Sequence, residues 1–209
     1  MPSQHDSLEF WDRGYATIAN LMNARQLAFA RAAIGLSERS GRMVHRTGIV
    51  PQGALNEYSA PVALLLLRQC LPAVEASVGK ELLPTYAFWR IYGHGAQLNR
   101  HLDREACEVS ATIAIDAEPH SAAWPIWFRD LTGNESSLAL PAGSAALYQG
   151  MRVEHWREPY VGQRQCQIFL HYVVADGPYA AHAGDQLRMK AANHEILADV
   201  WQQLGLADQ

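Results

Sequence analysis

The sequence predicts a mainly β protein with flanking helices, an α+β fold in which N-terminal helices pack on one sheet. After Pro84, short stretches rich in aromatic and β-branched residues alternate with Gly, Pro, Asn and Asp, which is the pattern of antiparallel strands. Before Pro84, apolar residues recur at helical spacing. With 209 residues, of which 49% are hydrophobic and 18% charged, the chain is long enough for one folded domain.

The chain is expected to begin with a short strand and a helix. Tyr15 opens a stretch of high β propensity. Asn23 is a suitable N-cap for a helix over residues 24–35, whose apolar residues fall on one face. Gly35 or Gly41 is expected to end this helix.

A long loop and a second helix are expected next. Residues 40–58 show no periodic pattern, and a loop of this length in a compact domain is often functional. Pro61 opens a helix that carries an apolar stripe of Leu and Val. Pro72 is expected to break or kink this helix, and Gly79 suits its C-terminal cap.

The remainder is expected to form a jelly roll or another antiparallel sandwich. The candidate strands cover residues 85–92, 107–115, 124–128, 144–148 and 164–174. Short strands at this spacing are typical of such folds. We therefore expect a single domain with a helical part at about residues 1–84, a jelly-roll core at about 85–178 and a C-terminal helix at about 185–206.

Charge and cysteine content exclude several classes of protein. The formal net charge of −4 gives no strong field for a polyanion, so a nucleic-acid partner is not expected. Cys70, Cys107 and Cys166 are odd in number and lack CxxC spacing, which favours a reducing, cytoplasmic setting over a disulfide framework or structural zinc. The N-terminus has no apolar signal core, and the longest apolar run, residues 61–67, is too short to span a bilayer.

A metal site is the main chemical hypothesis. On a strand, His101 and Asp103 project to the same side and can bind one ion. Alone this is weak evidence, because about one His-x-Asp/Glu is expected by chance at ordinary composition. His155 strengthens it, since two histidines and one carboxylate form the facial triad of non-haem Fe(II) oxygenases, which leaves coordination positions open.

An arginine provides a further element of the pattern. Arg164 lies nine residues after His155, at the start of the last predicted strand. A guanidinium there can form a bidentate pair with the distal carboxylate of a dicarboxylic cosubstrate. Without the three candidate metal ligands, a surface charge at a strand end would be the preferred interpretation. Arg104 and Arg157 are weaker candidates for substrate contacts, and surface salt bridges are the commoner role of such residues.

The combined pattern resembles the iron(II)- and 2-oxoglutarate-dependent dioxygenases, in particular their prolyl-hydroxylase-like branch. The segment RIYGHGAQLNRHLD at residues 90–103 is similar to the family's aromatic, glycine-rich strand and turn before its His-x-Asp. The segment LPAGSAALY at residues 140–148 is similar to the Pro-Gly-Asp turn before the distal histidine, with Ser144 in place of the acid. The resemblance covers about residues 9–178.

The resemblance implies a double-stranded β-helix, a cupin-like jelly roll, with Fe(II), 2-oxoglutarate and O2 as cofactor and cosubstrates. Oxidative decarboxylation of 2-oxoglutarate to succinate and CO2 would accompany hydroxylation of a substrate C–H bond. Related halogenases lack the carboxylate ligand, so Asp103 favours hydroxylation. Tyr92 and Thr112 match positions that line the family's cosubstrate pocket, although core packing explains Tyr92 equally well.

Three other functions stay open. Nucleic-acid demethylases of the superfamily carry a second arginine six residues after the first, where this chain has Leu170. Other-metal cupin proteins usually carry His-x-His, which the sequence lacks. A non-catalytic binding module would be expected to have lost a ligand. The sequence does not identify the substrate, for which a small molecule, an amino acid or a peptide all fit, nor the oligomeric state. His171 is interpreted as a buried structural histidine.

Overall fold

The structure, a computed structural model, describes residues 10–120 and 124–185. Two antiparallel sheets pack face to face as a jelly roll, and two helices cover the outer face of the larger sheet. The mainly β fold with N-terminal helices on one sheet is therefore confirmed. The C-terminal helix expected at about 185–206 lies outside the described residues.

The described part contains two long helices, a helical turn at residues 10–13, two short 3₁₀ helices (Glu105–Cys107 and Ala180–His182) and eleven strands. The long helices are α1 (Ala24–Arg39) and α2 (Pro61–Val78). The strands are β1 (Tyr15–Ile18), β2 (Val44–Arg46), β3 (Ala54–Tyr58), β4 (Leu82–Gly93), β5 (Leu98–His101), β6 (Val109–Glu118), β7 (Ile126–Arg129), β8 (Glu135–Leu138), β9 (Ala145–Tyr148), β10 (Glu154–Arg157) and β11 (Arg164–Val174). The larger sheet has the order β1-β9-β6-β11-β4-β3-β2, and the smaller sheet has the order β5-β10-β7-β8.

Helix α1 begins as the sequence predicts and ends later. The side chain of Asn23 accepts a hydrogen bond from the backbone of Gln26, and Gln26 accepts one from the backbone of Asn23, which forms a capping box. The helix runs through Gly35 to Arg39, so Gly35 does not end it. Gly41 has a left-handed φ of 68° just beyond the last turn.

Helix α2 runs uninterrupted from Pro61, so the predicted break at Pro72 is absent. Gly79 caps its C-terminus in the left-handed conformation, as predicted. The whole of α2, unlike the apolar run at residues 61–67 taken alone, is long and apolar enough to cross a membrane. Its inward side chains, among them Leu64 and Leu67, are instead buried against the larger sheet, as in a core helix.

The segment expected to be a loop, residues 40–58, is largely a hairpin. Strands β2 and β3 pair with each other, and β3 pairs with β4 through Leu55 and Ile91, which extends the larger sheet at its edge. The hairpin was missed because the side chains of β2 are exposed, and exposed strands lack the alternation of apolar and polar residues that marks a half-buried strand.

The central strands of the larger sheet, β4, β6 and β11, are buried on both faces. Tyr172 on β11 donates a hydrogen bond to the carbonyl of Leu67 on α2 (2.7 Å), and Arg31 on α1 donates one to the carbonyl of Ile115 on β6 (3.1 Å). The opposite face of β11 points into the jelly roll. The three cysteines are buried and form no disulfide.

Most predicted strands agree with the structure, and the short strands of the smaller sheet were the main omission. β5, β8 and β10 have four residues each and were not among the candidate strands. β5 ends at His101, so Asp103 lies in the turn beyond it rather than on the strand, which corrects the simple alternation used for this pair. The pairing of β5 with β10 is what brings the candidate metal ligands together.

Candidate metal centre

Three side chains predicted to bind a metal converge at one end of the jelly roll. His155 on β10 lies directly opposite His101 on β5, and their ring centroids are 4.2 Å apart. Asp103 Oδ1 lies 3.6 Å from Nε2 of His101 and 3.8 Å from Nε2 of His155. One ligand atom from each residue lies within 4.8 Å of the other two, which is close enough for all three to share an ion.

Backbone carbonyls orient both imidazoles. Nδ1 of His101 lies 2.7 Å from the carbonyl of Asn99, and Nδ1 of His155 lies 3.1 Å from the carbonyl of Val153. Because a carbonyl can only accept a hydrogen bond, each Nδ1 carries the proton, and the lone pair of each Nε2 is free to bind an ion shared with Asp103. This is the outer-shell arrangement that fixes the tautomer of metal-binding histidines.

The chain around Asp103 fixes the position of its carboxylate. The Asp103 amide donates to the carbonyl of Gly150 (2.8 Å), and the hydroxyl of Ser110 lies 3.3 Å from Oδ2. A Cβ at position 150 would lie 2.6 Å from Oδ2 and 2.5 Å from the carbonyl of Cys107, so only glycine fits there. The glycine at this turn therefore makes room for the acidic ligand.

Burial shifts the titration of all three groups. Desolvation lowers the pKa of His155 to about 4. Desolvation also lowers the pKa of His101, and the neighbouring His155 lowers it further. Desolvation raises the pKa of Asp103 to about 6, against the opposing effect of His101. At neutral pH the imidazoles are neutral and the carboxylate is ionised, which are the states that metal coordination requires.

The three residues line a cavity of about 190 Å³ with aromatic walls. Rings from β3, β4 and β11 stack along one side of it, with Tyr58 4.6 Å from Phe88 and Phe88 4.5 Å from Phe169. Arg90 and Arg104 also line this cavity. Such a cavity can hold a small ligand beside an ion and limits the access of water.

A second group of potential ligands shares Asp103. Cys107 and His171 place ligand atoms within 4.8 Å of each other and of Asp103. His171 is buried and lies 2.9 Å through Nδ1 from the Ser110 hydroxyl, and its ring stacks on Tyr86 at 4.4 Å. His171 is buried, as predicted, and its side chain also lines the metal cavity. The first group better suits Fe(II), because it offers two imidazoles and a carboxylate without thiolate.

Arg164 lies outside this cavity. Its Nη2 forms an ion pair with Glu38 Oε2 at 2.8 Å, and it lines a different cavity together with Glu38 and His45. The residue stands at the first position of β11, where alternation points it away from the inward-facing Gln165 and Gln167. Arg164 has the spacing from His155 that the family pattern predicts, but its guanidinium binds Glu38 and does not face the metal cavity.

Tyr92 and Thr112 face the interior without lining the cavity. Both are fully buried. The hydroxyl of Tyr92 accepts a hydrogen bond from Arg90 (3.2 Å), and its ring packs edge-on against Trp124 at 4.7 Å. Thr112 donates to the side-chain carbonyl of Gln167 (3.1 Å).

Two interior arginines were not identified as cofactor-site candidates from the sequence. Arg90 lies on the inward face of β4, where its Nε donates to the side-chain oxygen of Asn56. Arg157, considered only as a substrate contact or a surface charge, is 2% exposed on the inward face of β10. The alternation His155-x-Arg157 was the available signal, and it was missed because β10 had not been recognised as a strand.

Comparison with solved structures supports the fold. A Pseudomonas putida prolyl-4-hydroxylase matches with a TM-score of 0.63 and 17% identity over 80% of this chain and 96% of that chain. The non-heme alpha ketoglutarate dependent epimerase SnoN from nogalamycin biosynthesis matches with a TM-score of 0.71 and 12% identity over 82% of each chain. HygX from Streptomyces hygroscopicus, with nickel, 2-oxoglutarate and hygromycin B bound, matches with a TM-score of 0.63 and 12% identity over 84% of this chain and 88% of that chain.

At these identities the similarity establishes a common fold. The chain has the double-stranded β-helix of 2-oxoglutarate oxygenases, so the resemblance inferred from the motifs is confirmed at the level of the fold. No protein-family model and no curated protein sequence matches the chain.

Proposed function

We propose that the protein is an Fe(II)- and 2-oxoglutarate-dependent oxygenase that hydroxylates a C–H bond of a small-molecule, amino-acid or peptidyl substrate. The observation that carries the proposal is the preformed group of His101, Asp103 and His155. Two oriented Nε2 atoms and one carboxylate oxygen face the same point at the wall of a cavity.

The residues present fit the implied metal. Neutral imidazoles and a carboxylate are the donors of the facial triad, and three protein ligands leave positions open for a bidentate 2-oxo acid and dioxygen. Bound iron would supply the activation of dioxygen at the expense of the 2-oxo acid, which is released as succinate and CO2.

The chain's own residues position and shield that chemistry. Asp103 would hold the metal through the carboxylate that the related halogenases lack, which favours hydroxylation over halogenation. The carbonyls of Asn99 and Val153 hold the two imidazoles in place. The stacked rings around Phe88 form an apolar wall of the cavity beside the three ligands.

The similar structures support a range of substrates rather than one. Among them, a prolyl hydroxylase from Trichoplax adhaerens is described in complex with a peptide fragment, and HygX is described with hygromycin B bound. We propose a substrate of one of these two chemical kinds, a peptide or a small molecule. The cytoplasmic setting and the absence of a nucleic-acid or membrane partner stay predictions.

The alternative is a cupin-type protein that binds another metal or has no catalytic activity. The group of Asp103, Cys107 and His171 favours it, because a thiolate suits softer metals than Fe(II). A nucleic-acid demethylase is less favoured, because Leu170 is a buried apolar residue at the position where that branch carries its second arginine.

Anaerobic titration tests the proposal. Addition of Fe(II) and 2-oxoglutarate to the metal-free protein is expected to produce a weak visible charge-transfer band, followed by succinate release when O2 is admitted. His155→Ala is the matched control and is expected to give neither signal. A folded protein that binds Fe(II) and 2-oxoglutarate without this band, or releases no succinate with any member of a metabolite and peptide panel, would contradict the proposal.

A further inference from the structure

Arg157 is a buried arginine with unused hydrogen-bond donors. It follows His155 by two residues on β10, so both side chains project from the same, inward face of the strand. Its Nη1 donates to the carbonyl of Trp124, and its guanidinium lies 4.9 Å from the centre of the Trp124 ring. Nε and Nη2 have no hydrogen-bond partner among residues 10–120 and 124–185.

The guanidinium stays charged and lacks a counter-ion in the part of the chain that the structure describes. Arginine keeps its positive charge at neutral pH, so the buried guanidinium of Arg157 is a cation. A buried ion without a partner is strongly unfavourable, which makes the site selective for an anion. The fork of donors in arginine matches a carboxylate.

The space next to Arg157 is large enough for such a ligand. A cavity of about 530 Å³, separate from the metal cavity, is lined by Arg157, by Gln165 and Gln167 of β11, and by the ion pair of Arg31 with Asp116 (3.6 Å). Both glutamines are buried, and the amide oxygen of Gln165 also lacks a partner among the described residues. Arg157, Gln165 and Gln167 therefore form a polar end of the jelly-roll interior, with one buried cation and two primary amides.

This polar end adjoins the metal centre. Residues two apart on a strand have Cα atoms about 7 Å apart, a distance that a five-carbon dicarboxylate can bridge. His155 lines the metal cavity, and Arg157, two residues further along β10, lines the second cavity, so the two cavities lie next to each other along this strand. The arginine and the metal ligands thus face one interior.

The other two candidate arginines already have partners. Arg164 is neutralised by Glu38. Arg90 lines the metal cavity, but its Nε and Nη1 donate to Asn56 and Tyr92. Of the three, Arg157 combines complete burial with two donors that have no partner in the described structure.

We infer that Arg157, and not Arg164, binds the distal carboxylate of the dicarboxylic cosubstrate. The inference rests on the proposed function, because it assumes that the 2-oxo acid end is held at the triad. It places the cationic anchor on β10 of the smaller sheet, the strand that also carries His155.

Two ligands that differ only at their distal end test this assignment. 2-Oxobutyrate has the chelating 2-oxo acid of 2-oxoglutarate without the second carboxylate. Calorimetric titration of the Mn(II)-loaded protein under anaerobic conditions measures the affinity for each. The wild-type protein is expected to prefer 2-oxoglutarate. Arg157→Met is expected to weaken 2-oxoglutarate binding by at least about 30-fold, as for loss of one partner of a buried charge pair, and to leave 2-oxobutyrate binding unchanged.

Arg164→Met is the matched control and is expected to keep the preference for 2-oxoglutarate. Arg90→Met tests the competing assignment to the arginine that lines the metal cavity, and it is expected to keep the preference as well. Arg157→Lys retains the charge without the fork and serves if the methionine variant does not fold. Its affinity for 2-oxoglutarate is expected to fall about tenfold, and its affinity for 2-oxobutyrate is expected to stay unchanged. A selective loss in Arg164→Met or Arg90→Met, or an unchanged preference in the Arg157 variants, overturns the inference and leaves the proposed function standing. Failure of the wild-type protein to bind either acid overturns both.

Discussion

The two sheets of the jelly roll differ in what covers them. The larger sheet is packed on both faces, with α1 and α2 outside and aromatic side chains inside. The smaller sheet is packed on its inner face, and within residues 10–120 and 124–185 neither α1 nor α2 covers its outer face. Its outer face carries ion pairs, such as Arg100 with Glu135 at 2.7 Å and with Glu154 at 3.6 Å. The inward residues of the smaller sheet include His101, His155 and Arg157.

This difference indicates a division of roles. The smaller sheet and the turn after it supply all three proposed metal ligands, held by one strand pairing and a few backbone carbonyls. The larger sheet supplies most of the hydrophobic core. Substitutions in the smaller sheet should therefore change ligand binding with little effect on folding, and substitutions in the larger sheet should do the reverse.

Removal of a proposed ligand should have the largest effect. His155→Ala is expected to weaken Mn(II) or Fe(II) binding by more than about 100-fold, beyond the range seen when only an orienting group is lost. Calorimetry measures the affinity, and circular dichroism should show an unchanged fold. His171→Ala is the control, and it should retain the metal. The opposite result would place the metal at Asp103, Cys107 and His171.

Truncation in the larger sheet should have the next largest effect, on stability. Ile168 on β11 is fully buried in the main core. Ile168→Ala is expected to lower the free energy of unfolding by about 2–5 kcal/mol, measured by urea denaturation. The metal affinity of the folded variant should match that of the wild type. A large loss of affinity would show that the two sheets are not independent.

Steric displacement of Asp103 should have an intermediate effect on binding. Gly150→Ala puts a methyl group against Oδ2, and the backbone carbonyl of Cys107 prevents it from moving away. We expect metal affinity to fall by about 10- to 100-fold, the range for groups that orient a ligand. Gly93→Ala is the control, since nothing lies within 4 Å of the added Cβ, and it should bind metal normally. Equal affinity in both variants would contradict the role of Gly150 in making space for Asp103.

The sequence predicted the two sheets unequally, for a physical reason. The long strands β4 and β11 of the larger sheet are runs of buried apolar residues, so composition identifies them. In the smaller sheet, β5 and β10 have only four residues each. Both strands are rich in polar residues, so their sequences resemble those of loops. The ligands were still found because His-x-Asp and a distant histidine are a chemical pattern that does not depend on recognising the strands.

The arginine that faces the interior, Arg157, was not found in this way, because the sequence pattern pointed to Arg164. Arg164 had the expected spacing, but spacing does not specify the phase of a strand, and a shift of one residue turns a side chain to the other face. In this chain the side chain of Gln165 points inward, and Arg164 forms an ion pair with Glu38 on α1. Pairs of this kind depend on tertiary packing of elements far apart in sequence, which a single sequence does not reveal.

The outer face of the smaller sheet should contribute least. Arg100 and Glu135 are 38% and 45% exposed, so water and salt screen their attraction. Glu135→Gln keeps the shape of the side chain and is expected to change the free energy of unfolding by less than about 1 kcal/mol, with no effect on metal affinity. Urea denaturation at low and high salt measures the stability change, and the small difference should vanish at high salt. A loss above about 2 kcal/mol would mean that this charged face is covered in solution, and the smaller sheet would then be packed on both faces like the larger one.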